Sequence, residues 1–379
     1  MKKVLFAHQS TIPHYRVPFY NALERLKPNT WCFEVVFDPS ELENKRFFKE
    51  PLDIKQFKFP ILTVNTIAAK IAGKNVSYQT FWKKAAEYDL IVTEQALNNI
   101  SYPLCHLHQL AGVKLAYWGH GQHSGAKNNP SLFKHLSEQL KMKLTNRADG
   151  FFAYTSRGKS FVVGKGFSSD KVFVLNNTVD INVQRQAFKK IKRQREEIRR
   201  MLGVADKKVL LFVGRFTKTK RIKFLLEAFS ILQKKDANSH LLLVGSGGEN
   251  DLPKKLQNVS YFGSITNLDK LAPIYVAADV FSFPGSVGLG PLQALCYDLP
   301  VITINSDIHS PEIEYLSPRN SIVLPANSTP KDYALEIAKL FEDTEGLQKL
   351  RAETWISIKH LTIEQMAQNF IEGVNTLLN

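Results

Sequence analysis

Phe283-Pro-Gly-Ser-Val-Gly-Leu-Gly-Pro-Leu-Gln-Ala-Leu-Cys-Tyr-Asp-Leu-Pro-Val-Ile302 is the stretch that decides the fold. It begins where an apolar run, Ala278-Asp-Val-Phe-Ser-Phe283, ends, and that run reads as a buried strand. Gly285, Gly288 and Gly290 follow, then a short apolar helix over 292–297 and a further apolar strand at 301–304. Strand, glycine-rich turn, helix, strand is the unit by which a parallel α/β sheet presents main-chain N–H groups to phosphate. Glycine lets the backbone approach the ligand, and the helix start carries partial positive charge.

Outward from this block the alternation continues. Strands are expected at 208–213, 240–244 and 259–262, with helices at 223–234 and 267–278 between them. Beyond residue 330, helices are expected over 332–343 and 346–378, broken near His360. The first half repeats the pattern with strands at 3–7, 32–37, 88–93, 113–118, 150–154 and 172–175 and helices at 17–26, 101–111, 131–148 and 156–164. Short continuous apolar runs separated by helices predict parallel sheets covered on both faces. The fold class is therefore α/β, with two doubly wound Rossmann-like domains. The N-terminal domain is expected over 1–180, leaving through the polar turn Asn176-Asn-Thr-Val-Asp180. A charged linker helix follows over 181–205, carrying Lys189, Lys190, Lys192, Arg193, Arg195, Arg199 and Arg200. The second domain spans 206–355, and a terminal helix over 356–379 is expected to return toward the first.

The 379 residues suffice for two domains, each with its own core, and 44% hydrophobic content excludes wholesale disorder. Fifty Lys and Arg against 35 Asp and Glu give a net charge of +15, which points to an anionic partner such as a phosphorylated substrate or a phospholipid surface. A basic surface that serves only solubility is the plainer explanation of the same number. Nucleic acid is not the expected partner: the basic residues are scattered, and Glu196 and Glu197 interrupt the most basic segment. Three cysteines make no full disulfide set, and Cys105-His-Leu-His108 has no second ligand cluster, so a reducing compartment and no metal are expected. The opening Met1-Lys-Lys-Val-Leu-Phe-Ala-His8 reads as a first strand rather than a signal peptide. No run approaches the ~20 apolar residues of a membrane span. A cytoplasmic protein, peripheral on the inner face of the membrane, is the expectation. Leu132, Phe133, Leu136 and Leu140 with Lys141 and Lys143 would form an amphipathic helix at such a surface, or an ordinary core-facing helix with a solvated basic side.

The second phosphate-seeking segment is Gly214-Arg-Phe-Thr-Lys-Thr-Lys220, between a strand and a helix. Arg215 offers a forked donor and Lys220 a point charge, together suited to a diphosphate. A solvated basic turn is the alternative, since Lys218, Arg221 and Lys223 lie close by.

Taken in order, Val213-Gly-Arg-Phe-Thr-Lys-Thr-Lys-Arg221, Leu243-Val-Gly-Ser-Gly247, Val259-Ser-Tyr-Phe-Gly-Ser264 and the 285–302 block resemble the donor domain of family 4 retaining glycosyltransferases. In the first half, Ile12-Pro-His-Tyr-Arg-Val-Pro-Phe-Tyr20 and Tyr117-Trp-Gly-His-Gly-Gln122 are similar to that family's loop after the first strand and to its histidine-bearing segment. The resemblance implies a GT-B fold and transfer of a sugar, without a bound metal or other cofactor, from a UDP- or GDP-linked donor. It implies His120, Arg215 and Lys220 as catalytic, and Gly214, Phe262, Gly263, Pro284, Gly288, Leu289, Gly290, Gln293 and Glu312 around the donor. His14, Tyr15 and Arg16 fall on the acceptor side. The implied acceptor is a glycan, favoured as lipid-linked, in cell-surface polysaccharide assembly.

Two departures accompany the match. Many members carry two glutamates separated by seven residues at the glycine loop, and this chain has Gly285 and Gln293 there. Gln293 can hydrogen-bond to a ribose but brings no charge, and Gly285 brings no side chain. In Asp307-Ile-His-Ser-Pro-Glu-Ile-Glu-Tyr-Leu316, both Glu312 and Glu314 are candidates for the family's loop glutamate; Glu312 is preferred because it begins the expected helix, where either carboxylate would also serve as a cap. A nucleotide-sugar-binding protein without catalysis and a basic nucleic-acid-binding protein are the alternative functions. A nicotinamide dehydrogenase lacks its glycine fingerprint near the first strand.

Overall fold

A computed structural model describes residues 1–7, 12–40, 54–71, 74–121, 132–248 and 257–379. Gln122 and Ser131, and the side chains of Leu132 and Phe133, lie outside the described residues. The chain forms two compact units: described residues up to Asn177 together with Ile363–Asn379, and Thr178–Thr362.

In the first unit the elements run β1 (Lys2–Ala7), α1 (Val17–Leu26), β2 (Trp31–Phe37), β3 (Ile61–Thr63), β4 (Thr66–Ile71), β5 (Lys74–Gln79), β6 (Leu90–Glu94), α2 (Ser101–Leu104), α3 (His106–Gln109), β7 (Lys114–Gly119), α4 (Leu132–Thr145), β8 (Gly150–Ala153), α5 (Ser156–Val163) and β9 (Val172–Val174). Seven strands make one parallel sheet in the order β3-β2-β1-β6-β7-β8-β9, and β4 and β5 pair separately as an antiparallel hairpin. Strand order reverses between β1 and β6, and the loops leaving their carboxyl ends diverge there, as in other open parallel sheets.

The second unit begins with α6 (Ile181–Ile191) and α7 (Arg195–Met201), then β10 (Lys208–Val213), α8 (Ile222–Lys235), β11 (Ser239–Val244), β12 (Val259–Tyr261), α9 (Leu268–Ala277), β13 (Val280–Ser282), α10 (Leu289–Leu295), β14 (Val301–Ile304), β15 (Ser321–Leu324), α11 (Pro330–Glu342) and α12 (Thr344–Ile358). Its parallel sheet runs β12-β11-β10-β13-β14-β15 and reverses between β10 and β13. That reversal places the two phosphate-seeking loops of the sequence, after β10 and after β13, on adjacent strands.

The segment expected as one linker helix is two helices, separated by a 3-10 turn at Lys192–Gln194, and it packs into the second unit. Asp180 caps α6 through the Val183 amide. Arg195, Arg199 and Arg351 converge on Asp279, which also accepts from the Val209 amide; the basic residues thus tie α7 and α12 to the amino ends of β10 and β13. The sequence reading also did not foresee β15 or the β4–β5 hairpin, and the helix expected over 101–111 divides into α2 and α3.

The terminal helix α13 (Ile363–Leu378) belongs to the first unit. Phe370 stacks on Phe152 at 4.1 Å and meets Phe6, Phe19 and Trp118 edge-on or tilted, while Asn375 accepts from the Trp31 indole. Gly373 is obligatory there: a Cβ would stand 2.4 Å from the Phe152 ring. Burial of one such aromatic contributes roughly 1.5–3 kcal/mol, which the end of the chain supplies to the core of its beginning.

On α4, Lys141 does not face solvent. It is buried and paired with Glu138 at 2.7 Å, whereas Leu136, Leu140 and Lys143 are exposed. Helical periodicity alone left both faces of α4 open, and the core on one side decides which lysine turns inward. Among the described residues no helix is long and apolar enough to cross a membrane.

Candidate functional site

The loop after β13 is wedged between two others in the second unit. On one side the Ser286 amide donates to Thr219 O at 2.8 Å and Lys220 Nζ donates to Ser286 O at 2.5 Å. On the other, Ser286 Oγ donates to Ile308 O at 2.7 Å, and Ser310 N donates to Val287 O at 2.9 Å. His309 accepts from the Val287 amide at 2.9 Å. Gly285 sits where no side chain fits, since a Cβ would lie 2.4 Å from Thr219 O and from the Lys220 carbonyl carbon. The missing glutamate at this position is therefore a packing requirement of this loop arrangement.

Lys220 ends a 3-10 turn at Lys218–Lys220, after which Arg221 takes a left-handed conformation (φ 55°) that swings the chain into α8. The Lys220 ammonium is also 5.1 Å from the centre of the Phe283 ring. Burial, seconded by the nearby Arg215 guanidinium, pushes its pKa down to about 8, and Glu312 acts in the opposite direction. An ammonium held partly desolvated beside another cation is ready for an anion. Arg215 itself is exposed, and Glu312 is buried at the start of the 3-10 turn Pro311–Tyr315.

The remaining expected donor residues gather at the same sheet edge. Gly214 follows β10, and its carbonyl would lie 1.8 Å from a Cβ on Gly245, so the loop after β11 needs glycine to pass. Gly245 N donates to Gly263 O at 2.7 Å, which brings Phe262 and Gly263 alongside. Pro284 is buried, Gly288 precedes α10, and Leu289, Gly290 and Gln293 lie on that helix, half-buried. Among the described residues no group of three or more His, Cys, Asp or Glu is placed to hold a metal ion. His106 bonds to Gln109 and Tyr117, and His108 to Trp82 O.

The first unit has its own cluster at the carboxyl edge of its sheet. His120, after β7, lies ring to ring with Tyr154 at 4.4 Å. Arg16 is buried, with its guanidinium 5.0–5.4 Å from the ring centres of Trp118, Tyr15 and Tyr154. Nη1 contacts Met366 Sδ of α13 at 3.7 Å, while Nε and Nη2 meet no acceptor in hydrogen-bond geometry among the described residues. His14 and Tyr15 are exposed.

Two groups escaped the sequence reading. Glu94 ends β6 in register with Trp118, and burial pushes its carboxyl up to about 7. An acid closing the apolar run Leu-Ile-Val-Thr was the available signal. His309 lay inside a quoted motif but was passed over for its neighbour Glu312.

The solved structures most like the chain include HepE of Anabaena crystallised with UDP, with a TM-score of 0.71 at 16% identity, covering 99% of this chain and 100% of that one. They also include the lipopolysaccharide outer core galactosyltransferase WaaB, with a TM-score of 0.63 at 15% identity over 99% of both chains. The fold is GT-B. Both GT-B units are thus represented, and residues 207–343 match the family described as glycosyl transferases group 1. That span contains Arg215, Lys220, the glycine loop and Glu312. Spore coat protein SA of Bacillus subtilis is 29% identical over 175 residues, 42% of this chain. The chain aligns with about half of that relative's length, 46%.

Proposed function

We propose that the protein is a retaining, metal-independent glycosyltransferase that moves a hexosyl group from a nucleoside diphosphate sugar to a glycan hydroxyl. The observation that carries this reading is the partly desolvated Lys220, seated beside Arg215 against the glycine loop at the strand reversal of the second unit. As the bond from the sugar C1 to the phosphate oxygen breaks, negative charge builds on the departing diphosphate. Arg215, Lys220 and the main-chain N–H groups of Gly288–Gly290 stabilise that charge more in the transition state than in the ground state. Gln293 hydrogen-bonds the ribose, and Gly214, Phe262, Gly263, Pro284 and Leu289 line the nucleotide and phosphates. Glu312 contacts the sugar, and His120 keeps the catalytic role that the resemblance implies. The acceptor oxygen attacks from the face the diphosphate leaves, and the departing phosphate takes its proton, so the anomeric configuration is kept. UDP bound to HepE supports a uridine donor, with GDP the alternative.

The first unit takes the acceptor in this reading. The charge on Arg16, buried among the rings of Tyr15, Trp118 and Tyr154, suits an acceptor phosphate or carboxylate reached through the exposed His14–Tyr15 turn. Exposed Leu136, Leu140 and Lys143 on α4 suit a peripheral contact with an anionic membrane carrying a lipid-linked glycan. The names of WaaB and of the spore coat relative support cell-surface polysaccharide as the setting.

The experiment is a thermal-shift panel of UDP- and GDP-sugars, followed by transfer to glycan acceptors with NMR assignment of the new anomeric centre. Stabilisation by one donor class, product formation lost in R215A and K220A, and retained configuration are expected. An inverted product would overturn retention. Donor binding without transfer to any acceptor would favour the non-catalytic alternative that Gly285 raises.

A further inference from the structure

The imidazole of His309 is 2% exposed and makes two main-chain hydrogen bonds. An amide can only donate and a carbonyl can only accept. Nδ1 therefore accepts from the Val287 N–H at 2.9 Å, and Nε2–H donates to Ile304 O at 2.9 Å. The ring must be neutral and must carry its proton on Nε2 to do both. It bridges the last residue of β14 to the glycine loop, between the Ser286–Ile308 and Ser310–Val287 bonds.

We infer that His309 is the positioning residue of the donor loop, holding Ser286–Gly288 in place only while its imidazole is neutral. This rests on the donor reading above. Ser286 offers its carbonyl to Lys220 on the opposite side, so the position of the loop sets where that ammonium sits. A proton added at Nδ1 turns the acceptor into a donor that faces the Val287 N–H, and the loop must leave. The loop and Lys220 would then lose their common anchor, and a diphosphate would meet a disordered collar of amides.

Asp307, Glu312 and Glu314 share the stretch of chain that carries the ring, and Lys220, after β10, reaches the same loop through Ser286 O. Neither β13, β14 nor α10 contributes an ionisable side chain. Nothing in the reaction uses this histidine chemically, and it touches no ligand in the proposed scheme.

The test compares wild type, H309N and H309A. Asn retains an acceptor oxygen near the Nδ1 position and does not titrate. The first readout is hydrogen exchange of residues 284–290 in the ligand-free protein from pH 8 to pH 5.5, corrected for intrinsic rates. Wild type is expected to lose protection by about tenfold on acidification, the scale of one buried hydrogen bond. H309N should stay flat, and H309A should be unprotected throughout. The second readout is UDP affinity by calorimetry, where wild type should weaken about tenfold relative to H309N over the same range. The ratio removes protonation of UDP itself. Parallel pH courses in wild type and H309N, or NMR showing a proton on Nδ1 at neutral pH, would overturn the inference. If UDP binds neither protein at any pH, the donor reading fails while the exchange data still decide the role of His309.

Discussion

Replacing Lys220 by Met removes one charge and keeps most of the stem that packs near Phe283. A unit charge ~4 Å from a phosphate oxygen is worth about 4 kcal/mol at an effective dielectric near 20. Part of this is already present in the ground state, so kcat/KM is expected to fall by about 10²- to 10³-fold. The pKa of about 8 adds a sharper signature. Above pH 8 the charged fraction in the free enzyme drops about tenfold per unit, and kcat/KM should bend there and decline with that slope. Donor phosphates are fully ionised in this range. In K220M the bend should vanish. Stability runs the other way. The folded protein holds this proton less tightly than the unfolded chain, whose lysine titrates near 10.5. Wild type therefore gains stability relative to K220M as pH rises from about 8 to 10.5, on the order of 3 kcal/mol in total. Initial-rate kinetics from pH 7 to 9.5 and urea unfolding at pH 7.5 and 10 measure the two effects. A wild-type profile level to pH 9.5, or a bend that persists in K220M, would refute the account of Lys220 as a desolvated diphosphate ligand.

Other perturbations probe the frame around it. G285A forces a Cβ into the backbone of Thr219 and Lys220, and should raise the donor KM at least about tenfold with a stability loss of about 1–3 kcal/mol, read by kinetics and urea titration. D279A leaves Arg195, Arg199 and Arg351 without their shared carboxylate at the base of the sheet; a loss of about 3–5 kcal/mol is expected in urea, with donor affinity little changed at urea concentrations where it remains folded. Glu94, raised to about 7, contributes stability that is complete below pH 4.5 and lost as pH rises through 7. In E94Q the difference in unfolding free energy between pH 5 and pH 7.5 should shrink by about 1–3 kcal/mol, and an unchanged difference would contradict the buried carboxyl.

Much of this protein could be read locally. Buried strands of a parallel sheet are short apolar runs, because both faces are covered, and each run at 3–7, 88–93, 208–213, 240–244, 280–283 and 301–304 became a strand. The glycine loop after β13 and the basic turn after β10 were legible for the same reason: each is specified within about ten residues of chain, and the sheet brings them to adjacent strands. The GT-B assignment followed from their order.

What the sequence withheld is non-local. Charge alone marks 181–205 as solvated, yet Asp279, some eighty residues away, turns Arg195 and Arg199 inward. Lys141 and Lys143 are indistinguishable by pattern, and only the packing of α4 buries the first against Glu138. Gly285 looked like a missing glutamate until Thr219 and Lys220 occupied the space a side chain would need. His309 and Glu94 owe their roles to strands that meet only in the folded sheet. The sequence by itself determined the elements and the chemistry at their ends; tertiary structure decided which groups lose water and what they face, because desolvation depends on neighbours that the chain supplies from far away.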